Sequence, residues 1–372
     1  MPQAVVIREG MMYMPLKMRQ VKSLTPHLFL DRFRGNGDQP TLGEAFRRDE
    51  VAVYFDRAEH LYDQWPRPTC IIADGPYGIS GFPGDEKSWA SLAHWYEPHV
   101  KAWSDRSTPQ TTLWFWNTEV GWATVHPVLA NCGWEYRCCN TWDKGMSHIA
   151  GNSNTQTLRK FPVATEVCVH YVKAAHFRAA DKTMTMQEWL RHEWRRSGLP
   201  FQLANDACEV LNAATRKYLT ADHLWYYPPP DAFVKLSEYA NQHGQPAGRP
   251  YFSVDGKKTI SGEEWSRLRA KFRCPLGITN VWSEPQVNGT ERIQGQRNGM
   301  KYKFASLHGS QKPMRLIDML IRSCTDESDV VWEPFGGLCP GAVVSHHLRR
   351  KYVAAEILPE FYQAAAERLA TA

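Results

Sequence analysis

The chain has 372 residues, 43% of them hydrophobic, which suits one large α/β domain with an insertion, or two domains, around a full core. Its formal net charge of +5 is compatible with a polyanionic partner, although many enzymes have a similar balance. Without a long apolar run, a secretory leader or a CxxC pair among nine cysteines, a membrane, secreted or zinc-binding protein is not expected, and the sequence predicts a cytoplasmic location.

The first half of the chain predicts a parallel sheet covered by helices. Residues 1–50 have no strong period, so we predict an irregular N-terminal extension. After them, apolar runs alternate with helical patterns, as in α/β folds. The predicted strands are residues 51–55, 69–73, 111–116, 136–142 and 163–172. The predicted helices between these strands are residues 57–63, 88–103 and 120–131.

The second half begins with a more polar module. Residues 174–306 are rich in charge and in Pro and Gly breaks such as "YYPPPD" and "NGTERIQGQRNG". From residue 307 the α/β pattern resumes with the helix "QKPMRLIDMLIRS", the strand "DVVWEPF", the helix "GAVVSHHLRR", the strand "KYVAAEI" and the helix "PEFYQAAAERLA". We therefore predict a sheet domain of residues 51–173 and 307–372, interrupted by an insertion of residues 174–306.

Two loops follow predicted strands with residues suited to chemistry. The first is "DGPYG", which starts at Asp74, and the second is "EPFGG", which starts at Glu333. Ligands of open α/β sheets bind beyond the carboxyl ends of strands, so both loops can border one crevice. A glycine turn lets a ligand approach the backbone, and an acid that ends the next strand, here Glu356, can accept hydrogen bonds from ribose hydroxyls. This pattern indicates a nucleoside cofactor site.

These motifs resemble a known enzyme family. "IIADGPYGI" looks like the DPPY motif of S-adenosylmethionine-dependent DNA amino methyltransferases, and "HGSQKPMRL" with "WEPFGG" and "RRKYVAAE" looks like its cofactor-binding half. "WDKG" and "FPVATEVCVHYVK" match the family's later strands. The catalytic motif precedes the cofactor motif, as in the β group, whose intervening insert is the target recognition domain. The resemblance implies a Rossmann-like methyltransferase fold with permuted motif order, and a mostly parallel sheet with helices on both faces.

The resemblance assigns roles to both loops. In the catalytic motif Asp74, Gly75, Pro76 and Tyr77, the Asp74 carboxylate and the Gly75 carbonyl would accept the target amine, and Tyr77 would stack on the flipped base. In the cofactor site, Glu356 would hold the ribose of S-adenosylmethionine. Further cofactor contacts would come from the glycine loop and its flanks, the QKP motif and one earlier strand end: Glu333, Phe335, Gly336, Gly337, Gln311, Lys312 and Asp56.

The chain departs from the family pattern in three places. Gly75 replaces a proline, Glu333 replaces an aspartate, and Cys339-Pro340 stands where the family has Gly and Thr. The last change leaves open a catalytically inactive DNA-binding homologue. An aspartate at the start of the catalytic motif favours adenine-N6 methylation, because cytosine-N4 enzymes usually have serine there, and the cytosine-N4 reaction is the alternative.

The insertion contains a candidate DNA-recognition segment. "GLPFQLANDACEVLNAATRKYLT" predicts two short helices with a tight turn, with Asn212 as the N-cap of the second helix. In a helix-turn-helix, Arg216 and Lys217 would contact bases or phosphates of double-stranded DNA. The alternative is a helical hairpin with a solvated charged face. Family members often pair up, so a homodimer is possible, whereas neither a metal nor a membrane partner is expected.

Overall fold

The structure is a computed structural model that describes residues 40–79, 85–149, 158–179, 182–297 and 300–372. Within these residues, nine strands form one large sheet in the order β1-β2-β13-β12-β3-β4-β6-β5-β9. These strands are β1 (Glu44–Arg48), β2 (Val51–Phe55), β3 (Cys70–Ala73), β4 (Thr112–Asn117), β5 (Trp134–Asp143), β6 (Thr165–Lys173), β9 (Val281–Ser283), β12 (Val330–Glu333) and β13 (Lys351–Glu356). Two hairpins stand apart from it: β7 (His176–Ala179) with β8 (Lys182–Thr185), and β10 (Gln294–Arg297) with β11 (Met300–Ser306).

The helices of the described residues fall into two groups. Those that accompany the large sheet are α1 (Leu92–Arg106), α2 (Glu119–Asn131), α8 (Met314–Cys324), α9 (Pro340–His347) and α10 (Pro359–Thr371). Those between β8 and β9 are α3 (Met186–Arg196), α4 (Leu203–Ala207), α5 (Ala213–Tyr218), α6 (Pro230–His243) and α7 (Gly262–Ser266). No helix among the described residues combines the length and the apolar character needed to cross a bilayer.

The strand order creates a switch point between β12 and β3. From β12 the chain passes through α9 to β13 on one side, and from β3 it passes through α1 to β4 on the other. Both pairs are parallel, as is the central pair β12 and β3, whereas β6 runs antiparallel to β4 and β5. A crevice therefore opens beyond the carboxyl ends of β12 and β3, where open α/β sheets bind their ligands.

Helices cover both faces of the sheet because its central strands are apolar on both sides. On β3, Ile72 packs in the cluster that contains α8, α9 and α10, while Ile71 and Ala73 pack in the cluster that contains α1 and α2. All three side chains are fully buried. This arrangement confirms the predicted α/β fold with a mostly parallel sheet.

Most predicted elements are confirmed within a few residues at their ends. The prediction of a helix at 57–63 is wrong, because the structure has only a 3-10 turn at Ala58–His60. The irregular character predicted for residues 1–50 is wrong for Glu44–Arg48, which pair antiparallel with β2 as an edge strand. A tight hairpin at Asp49, which has a φ of 50°, holds this pairing. The charged sequence of β1, EAFRR, is not typical of a strand, although charged residues are common on edge strands. Residues 1–39 lie outside the described residues.

The predicted insertion has a hydrophobic core of its own. This core extends from Phe177 to Trp265, where the Trp265 ring stacks on Phe233 at 4.3 Å between centroids. However, β9 lies within residues 174–306 and pairs with β5, so part of the segment belongs to the large sheet. The domain boundaries stay a prediction, and the separate core supports an independent module within them.

Candidate active site

The two predicted loops lie side by side. β3 and β12 are hydrogen-bonded neighbours, with Ile71 opposite Trp332, so Asp74 and the loop after Glu333 leave the sheet at the same edge. The loops also touch, because a Cβ atom placed on Gly75 would lie 2.6 Å from the ring of Phe335. The structure thus brings together two segments that the sequence separates widely.

The same contact explains the glycine at position 75. A Cβ there would also meet the Tyr96 hydroxyl at 2.6 Å, and real Cβ atoms do not approach so closely. The ring of Phe335 is itself packed against Trp95 and Tyr96 of α1, with centroids 5.2 and 6.1 Å away. A proline at position 75 would therefore require this aromatic cluster to move.

The turn of residues 74–78, called the catalytic turn below, is held by a residue that the sequence did not single out. The Asp85 carboxylate accepts hydrogen bonds from the backbone N–H groups of Tyr77 and Gly78, both at 2.8 Å, and of Ile79 at 3.4 Å. On the other side, the carbonyl of Pro76 accepts from Tyr96 at 3.1 Å and from Asn117 at 3.0 Å. Asp85 lies outside the motif, so only its contacts reveal its role.

The carboxylate of Asp74 meets two donors at the base of the crevice. Lys312 Nζ lies 2.8 Å from Asp74 Oδ2, and the Tyr77 hydroxyl donates to Asp74 Oδ1 at 2.9 Å. Lys312 comes from the QKP segment and is 2% exposed. The structure thus places Lys312 directly on the predicted catalytic carboxylate, while its predicted contact with the cofactor stays a prediction.

A second acid extends this network. Glu166 on β6 pairs with Lys144 and lies 3.4 Å from Lys312 Nζ, and its Oε2 is 3.0 Å from the Tyr77 hydroxyl. Burial alone would raise the pKa of Glu166, but the ammonium groups of Lys312 and Lys144 hold that pKa below its ordinary value. Two cations and two carboxylates are therefore assembled in one cluster, in which Asp74 is partly exposed and the other three side chains are buried.

The glycine loop is tied to the strand beside it. Gly336 N donates to the carbonyl of Ala355 at 2.8 Å, and Gly337 N donates to Glu356 Oε2 at 2.7 Å. Leu358 N donates to the other oxygen of Glu356 at 2.7 Å. Burial raises the pKa of Glu356 to about 7. A carboxylate has about four acceptor positions, so Glu356 can still accept hydroxyl groups of a ligand.

Glu333 lies beneath the glycine loop. Its carboxylate accepts hydrogen bonds from the Tyr352 hydroxyl and, at 3.2 Å, from the backbone N–H of Gly341 in the first turn of α9. The side chain is 2% exposed, and this burial raises its pKa to about 8. The described contacts of Glu333 are therefore with the protein, and its predicted contact with the cofactor stays a prediction.

Cys339 does not project into the crevice. It adopts a left-handed backbone with a φ of 43°, is 1% exposed, and belongs to the core cluster on the α8 and α9 face. Its sulfur packs against Gly336, where an added Cβ would lie 2.6 Å from Sγ. Pro340 is the first residue of α9, a position that needs no N–H donor. The Cys339 side chain is therefore packed in the core, although cysteine replaces a glycine of the family pattern.

The remaining predicted cofactor residues lie around the same edge. Asp56 follows β2, and its backbone N–H donates to the carbonyl of Glu356 at 3.1 Å. The Asp56 carboxylate accepts from His60 at 2.8 Å. Gln311 donates to the carbonyl of Glu291 at 2.9 Å and thereby joins the segment before β10 to the crevice. Asp56 is thus adjacent to Glu356, and Gln311 is adjacent in sequence to Lys312.

The predicted DNA-contacting residues lie in the insertion. Asn212 is the residue before α5, but its side chain makes no capping hydrogen bond. Instead, Asn205 Oδ1 of α4 accepts from the backbone N–H of Thr215 at 3.1 Å. Arg216 and Lys217 are exposed in the last turn of α5. The two helices and the exposed charges are present, while contact with DNA stays a prediction. Among the described residues, no group of three or more His, Cys, Asp or Glu side chains could hold a metal ion.

Comparison with known proteins finds DNA methyltransferases. The type II methyltransferase M2.MboI of Moraxella bovis is 25% identical over 118 residues, which are 32% of this chain and 35% of that protein. The chain thus matches about a third of the length of this curated relative. The crystal structure of the M1.HpyAVI complex with SAM is 14% identical, with a TM-score of 0.46, over 85% of this chain and 98% of that chain. PvuII DNA methyltransferase (cytosine-N4-specific) is 11% identical, with a TM-score of 0.46, over 89% of each chain.

The family itself is established by the sequence profile of N6 and N4 DNA methylases. This profile matches residues 69–367, which include the catalytic turn, the insertion and the glycine loop. The chain therefore belongs to the N6/N4 DNA methylase family.

Proposed function

We propose that this protein transfers a methyl group from S-adenosylmethionine to the exocyclic N6 amine of a flipped adenine in double-stranded DNA. The observation that carries the proposal is the junction of two loops at the switch point of the sheet. Asp74 follows β3, and the glycine loop of Gly336 and Gly337 follows the neighbouring strand β12. A carboxylate and a glycine turn thereby border one crevice in a chain of the DNA methylase family, which supports an acceptor role for the first and a cofactor role for the second.

The residues present fit S-adenosylmethionine. Glu356 is a buried carboxylate with unused acceptor positions, suited to the two ribose hydroxyls. Gly336 and Gly337 carry no side chain, and the Cβ positions that they leave open are directed at Cys339 and His308. Phe335 supplies an aromatic ring beside them. Asp56 extends the acidic edge next to Glu356. When bound, S-adenosylmethionine supplies an electrophilic methyl group.

The catalytic turn supplies what the acceptor amine lacks. The lone pair of an exocyclic amine is delocalised into the base, so the amine is a poor nucleophile. Two acceptors, the Asp74 carboxylate and the Gly75 carbonyl, would bind its hydrogens, favour a tetrahedral nitrogen and localise the lone pair. The base must leave the duplex to reach them. Holding both reactants in line would contribute much of the rate. Asp74 would take the proton that the methylated amine loses, and S-adenosylhomocysteine is the product that leaves.

Adenine is proposed as the target because the catalytic motif begins with Asp74. Resemblance to the family associates aspartate at this position with adenine-N6 and serine with cytosine-N4. Cytosine-N4 methylation is the second candidate. The exposed Arg216 and Lys217 of α5, within a module that has its own core, support a recognition role for the insertion.

A labelling experiment tests the proposal. The protein is incubated with double-stranded DNA of mixed sequence and methyl-labelled S-adenosylmethionine, and the DNA is then digested to nucleosides. We expect label in N6-methyldeoxyadenosine. Label in N4-methyldeoxycytidine would replace adenine by cytosine as the target, and the absence of label, with DNA binding retained, would identify a non-catalytic DNA-binding protein.

A further inference from the structure

Both oxygens of the carboxylate that the proposed function requires already have donors. Asp74 Oδ2 lies 2.8 Å from Lys312 Nζ, and Oδ1 accepts from the Tyr77 hydroxyl at 2.9 Å. Each oxygen has a second acceptor position, but an oxygen that already accepts one hydrogen bond is a weaker acceptor for another. The target amine therefore gains the full acceptor strength of Asp74 only when one of these two donors turns away. Lys312 is buried and is also close to Glu166, so the contact that can be exchanged at low cost is that of Tyr77.

The Tyr77 hydroxyl has a second acceptor within reach. Glu166 Oε2 lies 3.0 Å from this hydroxyl. Glu166 belongs to β6, whereas Asp74 follows β3. A phenol carries one proton, and burial together with the carboxylates of Asp74 and Glu166 raises the pKa of Tyr77, so the proton is retained. Rotation about the Cζ–O bond is enough to direct this proton to either acid, without movement of the ring.

Glu166 is held in place as that alternative acceptor. It is 7% exposed, it pairs with Lys144, and its strand is in register with β5, where Trp142 lies opposite Glu166. Lys144 and Glu166 belong to the "WDKG" and "VATEVCV" stretches, which match the family but received no role from the sequence. The tertiary structure places both within the network of Asp74.

We propose that Glu166 is a positioning residue for methyl transfer: it accepts the Tyr77 hydroxyl as the base arrives and so frees Asp74 Oδ1 for the target amine. Lys144 holds Glu166 at the distance that this exchange needs. The hydrogen bond from Tyr77 to Asp74 is replaced by one from Tyr77 to Glu166, and the amine then donates to Asp74. The proposal rests on the proposed function and adds a residue to it.

The first test is Glu166→Gln. Lys144 lies on Oε1 of Glu166, whereas Lys312 and the Tyr77 hydroxyl both lie on Oε2. With the glutamine carbonyl directed at Lys144, the NH2 group would take the place of Oε2, and the Tyr77 hydroxyl could then donate only to Asp74. We expect kcat for DNA methylation to fall by about tenfold or more, the equivalent of one hydrogen bond, with an unchanged Kd for S-adenosylmethionine.

The decisive readout is the same substitution in a Tyr77→Phe background. Without a hydroxyl on residue 77 there is nothing to clear from Asp74, so Glu166→Gln should change kcat by less than about twofold relative to Tyr77→Phe alone. Glu166→Asp, which keeps the charge but shortens the side chain, should show the same loss and the same rescue. It is the second variant if Glu166→Gln does not fold, as judged by thermal unfolding.

The control is Glu135→Gln, an acid on the same sheet whose side chain is 47% exposed, and it should leave kcat unchanged. Suppose that the wild type is active and that Glu166→Gln or Glu166→Asp lowers kcat as much in the Tyr77→Phe background as in the wild type. This result overturns the inference and leaves the proposed function standing. Full activity of both Glu166 variants also overturns it. A wild type that methylates no DNA overturns the proposed function and this inference together.

Discussion

The ammonium of Lys312 lies 2.8 Å from the carboxylate of Asp74, although the two residues lie on either side of the insertion in the sequence. Asp74 follows β3, and Lys312 precedes α8 on the other side of the insertion. Their contact joins the catalytic motif to the cofactor half of the domain.

Replacing Asp74 with Ala should abolish methyl transfer while DNA binding persists. The substitution removes the acceptor of the target amine, and loss of one such electrostatic contact typically lowers kcat by about 100-fold or more. The measurement is labelled methyl transfer, together with DNA binding by fluorescence anisotropy. Asp63→Ala, at an exposed aspartate, serves as the control. Undiminished turnover of Asp74→Ala would refute the catalytic role.

Replacing Asp85 with Ala should slow methyl transfer without a matching loss of cofactor affinity. Asp85 accepts from the backbone of Tyr77, Gly78 and Ile79, so its removal loosens the catalytic turn but leaves the glycine loop intact. We expect kcat to fall by about tenfold or more. Asp85→Asn keeps one acceptor oxygen and should be milder. Equal activity of wild type and Asp85→Ala would show that the turn needs no such support.

Replacing Arg216 with Ala should weaken DNA binding or relax sequence preference. Loss of a contact with a base edge costs about 1–3 kcal/mol of binding free energy. Loss of a phosphate contact instead reduces the slope of log K against log salt concentration by about 1. Titration of specific and unrelated DNA at several salt concentrations distinguishes these two outcomes. Arg349→Ala, an exposed arginine outside the insertion, is the control. Identical affinity and specificity of Arg216→Ala would remove the recognition role.

Affinity for S-adenosylmethionine should fall as the pH drops below about 7. Burial raises the pKa of Glu356 to about 7, and ribose hydroxyls bind its ionised form better than its protonated form. The affinity should therefore rise with pH up to that pKa, by at most about tenfold per unit below it. Isothermal titration between about pH 6 and about pH 8, roughly one unit either side of the pKa, measures this. Glu356→Gln should bind more weakly and lose most of the pH dependence; an unaltered pH profile would contradict the assignment.

The free energy of unfolding should fall as the pH rises, because of Glu333. Its folded-state pKa of about 8 lies above the ordinary 4.5, so the folded chain retains a proton that the unfolded chain has released. The stabilisation is complete below pH 4.5 and is lost as the pH rises through 8, at up to about 1.4 kcal/mol per unit between them. Urea unfolding across this window measures the slope. Glu333→Gln, which mimics the protonated acid, should make the slope less negative, and an equal slope in both proteins would contradict the shift.

The sequence by itself determined the fold class, the position of most strands and helices, and the two motifs at the switch point. These features follow from local periodicity and from turn residues, as in the apolar strand before Asp74 and the glycines after Phe335. The same local signals are weak in β1, which is charged, and in the single turn at Ala58–His60, and there the predictions were wrong.

Only the tertiary structure decided which side chains meet. The placement of Lys312 on Asp74, the link from Tyr77 to Glu166 and the burial of Cys339 depend on the order of strands and on packing between distant segments. No local pattern encodes them, because a side chain's partners across a sheet are set by neighbours that the chain reaches only after long excursions. The motifs therefore identify the chemistry, and the sheet decides which groups surround it.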